Sequence, residues 1–191
     1  MHNKKIIWIT GGGSGIGSEL AKILANNGHE VIISGRNNIK LKKISNLNPD
    51  FIKPIKIDIS SETQCKKVIN EIYNKTNTID VVILNAAAYN PGHIDFNDMK
   101  KIKTVVDINL IGQMNCLKFI LPKMKENKSG HIVFVSSPAG FRGLPNAGIY
   151  GVTKSALTFL AESLYIELKK FDIKVQVIHP GFVKTPMTDK N

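Results

Sequence analysis

Two kinds of apolar stretch alternate along the chain, and together they predict its strands and helices. Stretches rich in valine and isoleucine, with little regular polar interruption, predict strands at 5–10, 30–34, 52–57, 80–85, 131–136 and 173–178. The stretches between them carry apolar residues at helical spacing, which predicts helices near 15–27, 37–47, 61–76, 97–127 and 148–171.

Strands that are apolar on both sides are typical of a parallel sheet covered by helices on both faces. Because right-handed crossovers connect parallel strands, the alternation predicts an α/β fold with a Rossmann-type doubly wound parallel sheet. No linker or shift in composition divides the chain, so residues 1–191 are interpreted as one domain of this Rossmann type.

A glycine-rich loop joins the first predicted strand to the first predicted helix. Glycines let the backbone approach a pyrophosphate closely, and the N–H groups at a helix start attract anions. The spacing is G-x-x-x-G-x-G, and a tight turn without a ligand is the alternative interpretation. The candidate cofactor-binding residues in this loop are Gly11, Ser14, Gly15, Ile16 and Gly17.

The end of the second strand favours NADP(H) over NAD(H). An acidic residue at this place would hold a ribose 2′-hydroxyl, whereas an arginine suits a 2′-phosphate. Here the strand is followed by Gly35, Arg36 and Asn37, with no carboxylate. The alternative is a surface arginine that caps the next helix.

The candidate reacting groups lie near the fifth strand and the last helix. Tyr150 and Lys154 are i and i+4, so their side chains leave the same face of a helix. A cation near a phenol stabilises the phenolate and lowers the phenol's pKa, which would allow proton exchange with a substrate oxygen near neutral pH. Ser137 follows the fifth strand and could polarise a carbonyl, but from the residues alone Ser136 could do the same.

Together these motifs resemble the short-chain dehydrogenase/reductase family over nearly the whole chain. Thr10 to Gly17, Ser137, Tyr150 and Lys154 match the family's motifs in order and spacing. Further matches are Asp58-Ile59, Asn85-Ala86-Ala87, Asn109-Leu110-Ile111-Gly112 and 180–185.

The resemblance implies roles for these residues. Tyr150 would be the general acid/base, Ser137 rather than Ser136 would orient the substrate oxygen, and Lys154 would hold the nicotinamide ribose and lower the Tyr150 pKa. Asn109 would seat a water of a proton relay, unless it is only a polar residue that kinks a helix. The other implied cofactor contacts are Asp58 and Ile59 at the adenine (Asp58 could instead be an ordinary strand-end cap) and Asn85, Ala86 and Ala87 beside the adjoining ribose. Pro180, Gly181, Val183 and Thr185 would cover the nicotinamide, with Thr185 near its carboxamide or the pyrophosphate.

The chain departs from the family pattern in two ways. Leu84 and Ala87 replace the first asparagine and the glycine of the usual Asn-Asn-Ala-Gly, and the added methyl of Ala87 could crowd the cofactor. Family members also normally continue for several dozen residues past the position of Thr185. We therefore expect the family's final strand to be absent, and we favour a truncated chain over a reduced member of the family.

Composition and charge limit the classes of partner that we expect for the protein. The net charge is +11, but only Arg36 and Arg142 are arginines among 26 basic residues and the lysines are scattered, so we expect an anionic cofactor rather than nucleic acid. Cys65 and Cys116 lack metal-ligand spacing, which predicts no metal site and buried, reduced thiols. With no room for a signal peptide before the first strand and no apolar run long enough to span a bilayer, we expect a cytoplasmic protein without membrane partners.

The leading hypothesis is hydride transfer between NADP(H) and a ketone, aldehyde or secondary alcohol. The alternative is a cofactor-binding sensor or scaffold with little turnover. By resemblance, helices 97–127 and 148–171 would pair two copies into a dimer, although their apolar stripes could equally pack on the chain's own sheet.

Overall fold

The computed structural model describes residues 4–188 and contains a parallel sheet at its centre. The strand order is β3-β2-β1-β4-β5-β6, which is the order of a doubly wound Rossmann sheet. In the register of the sheet Trp8 lies beside both Ile32 and Val82. The strands are β1 (Ile6–Thr10), β2 (Glu30–Gly35), β3 (Ile52–Lys56), β4 (Val81–Leu84), β5 (Gly130–Val135) and β6 (Ile173–Ile178).

Helices cover both faces of this sheet. The helices are α1 (Gly15–Asn26), α2 (Asn38–Ser45), α3 (Glu62–Thr76), α4 (Met99–Val106), α5 (Gly112–Asn127) and α6 (Gly148–Leu168). Residues of α1 and α2 share one apolar cluster with Ile7 and Ile9 of β1, and residues of α3, α5 and α6 share a second with Trp8. Since adjacent strand residues point to opposite faces, this division confirms the predicted fold.

The strands match their predicted ranges to within one residue at every end, but one predicted helix is interrupted. The stretch 97–127 forms α4 and α5, and between them a π-helical segment runs from Asp107 to Ile111. The segment contains Asn109, whose side chain is wholly buried and bonded to neighbouring backbone. Hydrophobic spacing carries no signal for such a local change of winding.

The two cysteines lie in facing helices of the same cluster. Cys65 in α3 and Cys116 in α5 are both free and buried, as the sequence predicts. Within residues 4–188, no group of three or more potential metal ligands is present. Nor do the helices of this part of the chain include one long and apolar enough to cross a membrane.

The carboxyl ends of β1 and β4 are tied together where the strand order reverses. The Thr10 hydroxyl accepts hydrogen bonds from the backbone N–H groups of Asn85 and Ala86, each at 3.0 Å. In sheets of this kind, the crevice beyond this point is where ligands bind. The candidate site lies there.

Candidate active site

One cavity of about 830 Å³ lies along the carboxyl edge of the sheet. It extends from the segments that follow β2 and β3, past those that follow β1 and β4, to those that follow β5 and β6. The candidate residues that line it are Gly11, Ser14, Gly15, Ile16, Arg36, Asp58, Ile59, Asn85, Ala86, Ala87, Ser137, Tyr150, Lys154, Pro180, Gly181, Val183 and Thr185. The structure therefore gathers nearly all candidate residues around one space.

Three candidate residues do not line the cavity, and each has a structural role in the surrounding elements. Gly17 is buried in the first turn of α1. Asn37 caps α2, where its side chain accepts a hydrogen bond from the N–H of Lys40 at 3.0 Å. Asn109 lies in the π-helical segment, buried beneath the loop that follows β4.

The glycine loop requires its glycines at specific points. Gly11 has a φ of +70°, and a Cβ there would lie 2.9 Å from the Cα of Ala86. A Cβ on Gly17 would lie 2.6 Å from both the Gly11 carbonyl oxygen and the Asn85 side-chain nitrogen. That nitrogen donates to the carbonyl oxygens of Thr10 and Gly11 at 3.0 and 3.2 Å. The loop thus packs closely against the residues that follow β4, and its other side borders the cavity.

Arg36 is the cation at the far end of this cavity. It is exposed, and it lines the cavity together with Gly35 and Asp58. Since Asn37 supplies the side-chain cap of α2, the guanidinium is not used for capping. Its charge is therefore open to an anionic group at this end.

Tyr150 lies in the first turn of α6, at the other end of the cavity. Its ring packs against that of Tyr89, with centroids 4.9 Å apart and planes inclined by 58°. Burial raises the pKa of the Tyr150 phenol above its ordinary value, the nearby Ser137 hydroxyl acts in the opposite direction, and Tyr89 adds a further small increase. At neutral pH the phenol therefore holds its proton.

Lys154 follows one turn later and is only 2 % exposed. Its Nζ donates to the carbonyl oxygen of Val135 at 2.7 Å and lies 5.4 Å from the centre of the Tyr150 ring. Burial lowers the pKa of Lys154 to about 8. The net shift of the Tyr150 pKa is upward, opposite to the expected lowering, because burial of the phenol is its largest cause.

The two adjacent serines, Ser136 and Ser137, have different surroundings in the structure. Ser136 is buried, and its hydroxyl donates to the carbonyl oxygen of Lys154 at 2.9 Å and lies 3.1 Å from the Thr158 hydroxyl. Ser137 is partly exposed and close enough to Tyr150 to influence its pKa. Both serines line the cavity, but of the two it is Ser137 whose hydroxyl does not bond to the α6 backbone and lies beside the phenol.

Asn109 uses its side chain to hold the loop that follows β4. Its Oδ1 accepts from the N–H of Ala88 at 2.6 Å, and its Nδ2 donates to the carbonyl oxygen of Ala88 at 2.9 Å. The same Nδ2 donates to the Thr153 hydroxyl at 3.1 Å. These bonds connect the loop to α6 one residue before Lys154.

Several lining residues were not found from the sequence. Tyr89, Pro91, Leu144 and Pro145 come from loops without periodic hydrophobicity, and Pro186, Met187 and Thr188 lie beyond the last motif. Phe182 also lines the cavity, whereas Phe141 and Arg142, which follow the fifth strand, do not. Tyr89 could have been suspected as an aromatic residue two positions after the Asn85-Ala86-Ala87 motif.

Known proteins share this arrangement of sequence and fold. The short-chain dehydrogenase family model matches residues 5–191. An uncharacterized oxidoreductase of Staphylococcus epidermidis is 30% identical over 186 residues, which cover 97% of this chain and 81% of that protein.

Solved structures agree with these matches. The structure of ElxO with NADP bound is 30% identical in sequence to this chain and has a TM-score of 0.90. The match covers 98% of this chain and 77% of the ElxO chain. A 3-ketoacyl-(acyl-carrier-protein) reductase from Brucella melitensis, complexed with NADH, is 25% identical in sequence and has a TM-score of 0.93. The match covers 97% of this chain and 78% of the reductase chain. The resemblance seen in the motifs is thereby confirmed, and the chain belongs to the short-chain dehydrogenase family of oxidoreductases.

Proposed function

We propose that the protein transfers a hydride between NADP(H) and a ketone, an aldehyde or a secondary alcohol, with Tyr150 as the general acid/base. The observation that carries this proposal is a single cavity with a glycine loop and Arg36 toward one end and Ser137, Tyr150 and Lys154 at the other. The first set suits a phosphorylated dinucleotide, and the second suits a carbonyl oxygen.

The residues present fit this cofactor. Gly11, Ser14, Gly15 and Ile16 line the cavity, and the N–H groups at the start of α1 would donate to a pyrophosphate there. Arg36 would bind the 2′-phosphate, because a guanidinium fork matches phosphate oxygens and no carboxylate follows β2. Solved relatives are described with NADP and with NADH, so the preference rests on Arg36.

The remaining cofactor contacts follow from position along the sheet edge. Asp58 and Ile59 follow β3 and would meet the adenine, whereas Lys154 would meet the nicotinamide ribose. The loop after β6 closes toward the glycine loop, since a Cβ on Gly15 would lie 3.3 Å from Thr185. The other proposed contacts are Ser14, Ile16, Asn85, Ala86, Ala87, Pro180, Gly181 and Val183.

When bound, the nicotinamide would supply the hydride to the carbonyl carbon. As the carbon–oxygen π bond breaks, the oxygen takes its electron pair and receives the proton of Tyr150. Ser137 donates a hydrogen bond to the same oxygen and stabilises the charge that develops there. The raised pKa of Tyr150 keeps the phenol protonated before the step, and the nearby Lys154 ammonium stabilises the tyrosinate afterwards.

Asn109 acts as a positioning residue in this scheme. Its side-chain amide is bonded to Ala88 and Thr153, which leaves the second lone pair of Oδ1 or the backbone carbonyl for a relay water. Its main effect is to fix the loop that carries Tyr89.

We also propose that the protein pairs with a second copy and lies in the cytoplasm. Val152, Phe159 and Ile166 form an exposed apolar stripe at seven-residue spacing on α6, which suits pairing with a second copy. Free, buried thiols at Cys65 and Cys116 accord with a cytoplasmic location.

The substitution Tyr150→Phe tests the proposed chemistry. It removes the proton donor and keeps the ring, so we expect carbonyl-dependent NADPH oxidation to fall at least about hundredfold while NADPH affinity stays within about twofold. Tyr165→Phe removes an exposed phenol hydroxyl from the same helix and serves as the control. Unchanged turnover in Tyr150→Phe would exclude Tyr150 as the acid, and no turnover by the wild type on any carbonyl would favour the sensor or scaffold.

A further inference from the structure

We propose that the carbonyl substrate is uncharged and apolar around its reacting group, and that the enzyme discriminates against ketones that carry a carboxylate or phosphate. This inference rests on the proposed function and names the substrate class of the same site. The substrate class is inferred from the positions of charged and apolar side chains along the cavity.

The charged side chains that line the cavity, within residues 4–188, are Arg36, Asp58 and Lys154. Arg36 and Asp58 follow β2 and β3, whereas Ser137 follows β5. In the strand order β2-β1-β4-β5, three strand spacings of about 4.8 Å separate Arg36 from Ser137, or roughly 14 Å. The first two charges are therefore remote from the reacting phenol.

Lys154 is the one charged group near Tyr150, and it is already engaged. It is 2 % exposed, and its Nζ bonds to the Val135 carbonyl oxygen at 2.7 Å. The proposed function assigns its remaining N–H donors to the nicotinamide ribose, so a substrate anion would have to compete with the cofactor for them. Around Tyr150, an anionic substrate thus meets no free cation among the described residues.

The rest of the wall around Tyr150 is apolar or uncharged. Tyr89 packs on the Tyr150 ring, and Pro91, Leu144 and Pro145 line the same end. From the β6 side, Phe182 and Met187 contribute apolar side chains. Apolar walls with few polar groups are typical of sites that bind apolar ligands.

Two of these side chains leave apolar surface for a ligand to cover. Phe182 is 91% exposed and Leu144 is 40% exposed, although both line the cavity. Covering such surface favours binding by about threefold to fourfold for each buried methylene. A carboxylate in the same place would lose its water without gaining a partner.

The net charge of +11 draws anions toward the protein as a whole. Because this field is long-range and screened by salt, it affects the rate of encounter more than the fit of a bound group. Specificity for a charged substrate needs a cation at the contact. The wall around Tyr150 supplies none that is free in the described residues.

A matched pair of ketones tests the substrate class. Methyl 4-acetylbenzoate and 4-acetylbenzoate differ at a group remote from the carbonyl, and each enzymatic rate is divided by that ketone's rate with borohydride to remove intrinsic reactivity. We expect kcat/KM with NADPH to be at least tenfold higher for the ester, with the ratio maintained at high salt. Equal values, or a preference for the carboxylate, would overturn the proposal.

A new cation in the wall should relax this selectivity. Leu144→Lys places an ammonium at the substrate end, and we expect it to lower the ester-to-acid ratio at least fivefold. Leu47→Lys adds the same charge at an exposed position outside the cavity and should leave the ratio unchanged. If both variants change the ratio equally, the selectivity comes from the overall field and not from the wall.

Binding to the Tyr150→Phe variant saturated with NADPH separates failure of the substrate class from failure of the proposed function. Calorimetry should show the ester binding at least tenfold more tightly than the acid. If the ester binds in this way but the wild type does not reduce it, the ligand class holds and hydride transfer fails. If neither ketone binds the variant and the wild type reduces neither, while NADPH binds, the substrate class is wrong.

Discussion

Neighbouring hydroxyls at 136 and 137 have different surroundings, and this difference predicts different effects of the same substitution. Ser137→Ala removes a proposed donor to the substrate oxygen, so kcat/KM should fall at least about hundredfold. Ser136→Ala removes the bond to the Lys154 carbonyl oxygen and should cost about 1 to 2 kcal/mol of unfolding free energy. We expect its kcat/KM to stay within about tenfold of the wild type.

Steady-state kinetics and urea unfolding of both variants check this assignment. If Ser136→Ala loses more activity than Ser137→Ala at full folding, the two roles are reversed.

The buried ammonium of Lys154 predicts a pH-dependent stability. Its pKa is lowered from 10.5 to about 8, so between these values the unfolded chain binds more protons at this residue than the folded chain. Stability due to this group therefore rises with pH across that window, and it is lost as pH falls through about 8. Lys154→Met removes the titration.

We accordingly expect the unfolding free energy of the wild type, minus that of Lys154→Met, to increase between pH 8 and 10.5. The upper bound of the increase is roughly 3 kcal/mol. Denaturant unfolding of both proteins at matched pH measures this difference, in which the titration of the other lysines cancels. A flat difference over the window would show that the ammonium is better solvated than its burial indicates.

At the residue scale, the sequence predicted that Tyr150, Lys154 and Ser137 lie at the same place on the sheet edge, because helical and strand-end positions follow directly from the chain. It could not predict that the Asn109 side chain bonds to Ala88, or that Tyr89 packs on Tyr150. Such contacts join segments whose relative placement depends on the whole fold.

The turn from β1 into α1 is the element most sensitive to a single methyl. A Cβ on Gly17 would lie 2.6 Å from the Gly11 carbonyl oxygen. The nearest atom to a Cβ on Gly13 would be the Lys40 Cβ, at 3.4 Å. Gly17→Ala should therefore lower the unfolding free energy by about 1 to 3 kcal/mol, despite alanine's higher helix propensity. It should also weaken NADPH binding, because the loop is displaced from β4.

Gly13→Ala is the matched control, with an expected change within about 0.5 kcal/mol. Thermal unfolding and NADPH titration of the two variants compare them. Equal stability of both would mean that the loop can shift away from the added methyl at little cost.

Strands were the elements most closely predicted, because burial on both faces leaves long apolar runs in the sequence. The π-helical segment from Asp107 to Ile111 was not predicted, since the apolar spacing continues across it. The loops carrying Pro91 and Leu144 lack any periodic signal, and they form much of the substrate wall. The sequence was thus more informative about the cofactor end of the cavity than about the substrate end.

At the scale of the whole molecule, the apolar stripe on α6 predicts association. Val152, Phe159 and Ile166 are 62%, 73% and 74% exposed, which is unusual for large apolar side chains on one helix face. We expect the wild type to sediment as a dimer or larger at micromolar concentration and Phe159→Lys to sediment as a monomer. Phe159 is exposed, so the variant should remain folded.

Ile39→Lys, at an 81% exposed position on α2, should leave the association unchanged. Analytical ultracentrifugation distinguishes these outcomes. A monomeric wild type would show that the stripe serves another purpose.

The most direct test of the whole account is a titration of the wild type and Arg36→Leu with NADPH and NADH, followed by cofactor fluorescence. We predict that the wild type binds NADPH at least tenfold more tightly than NADH. The substitution should reduce NADPH affinity to the NADH value and leave NADH binding unchanged. Equal affinities in the wild type would contradict the role of Arg36, and failure to bind either cofactor would contradict the proposal that this cavity is a nicotinamide-dependent active site.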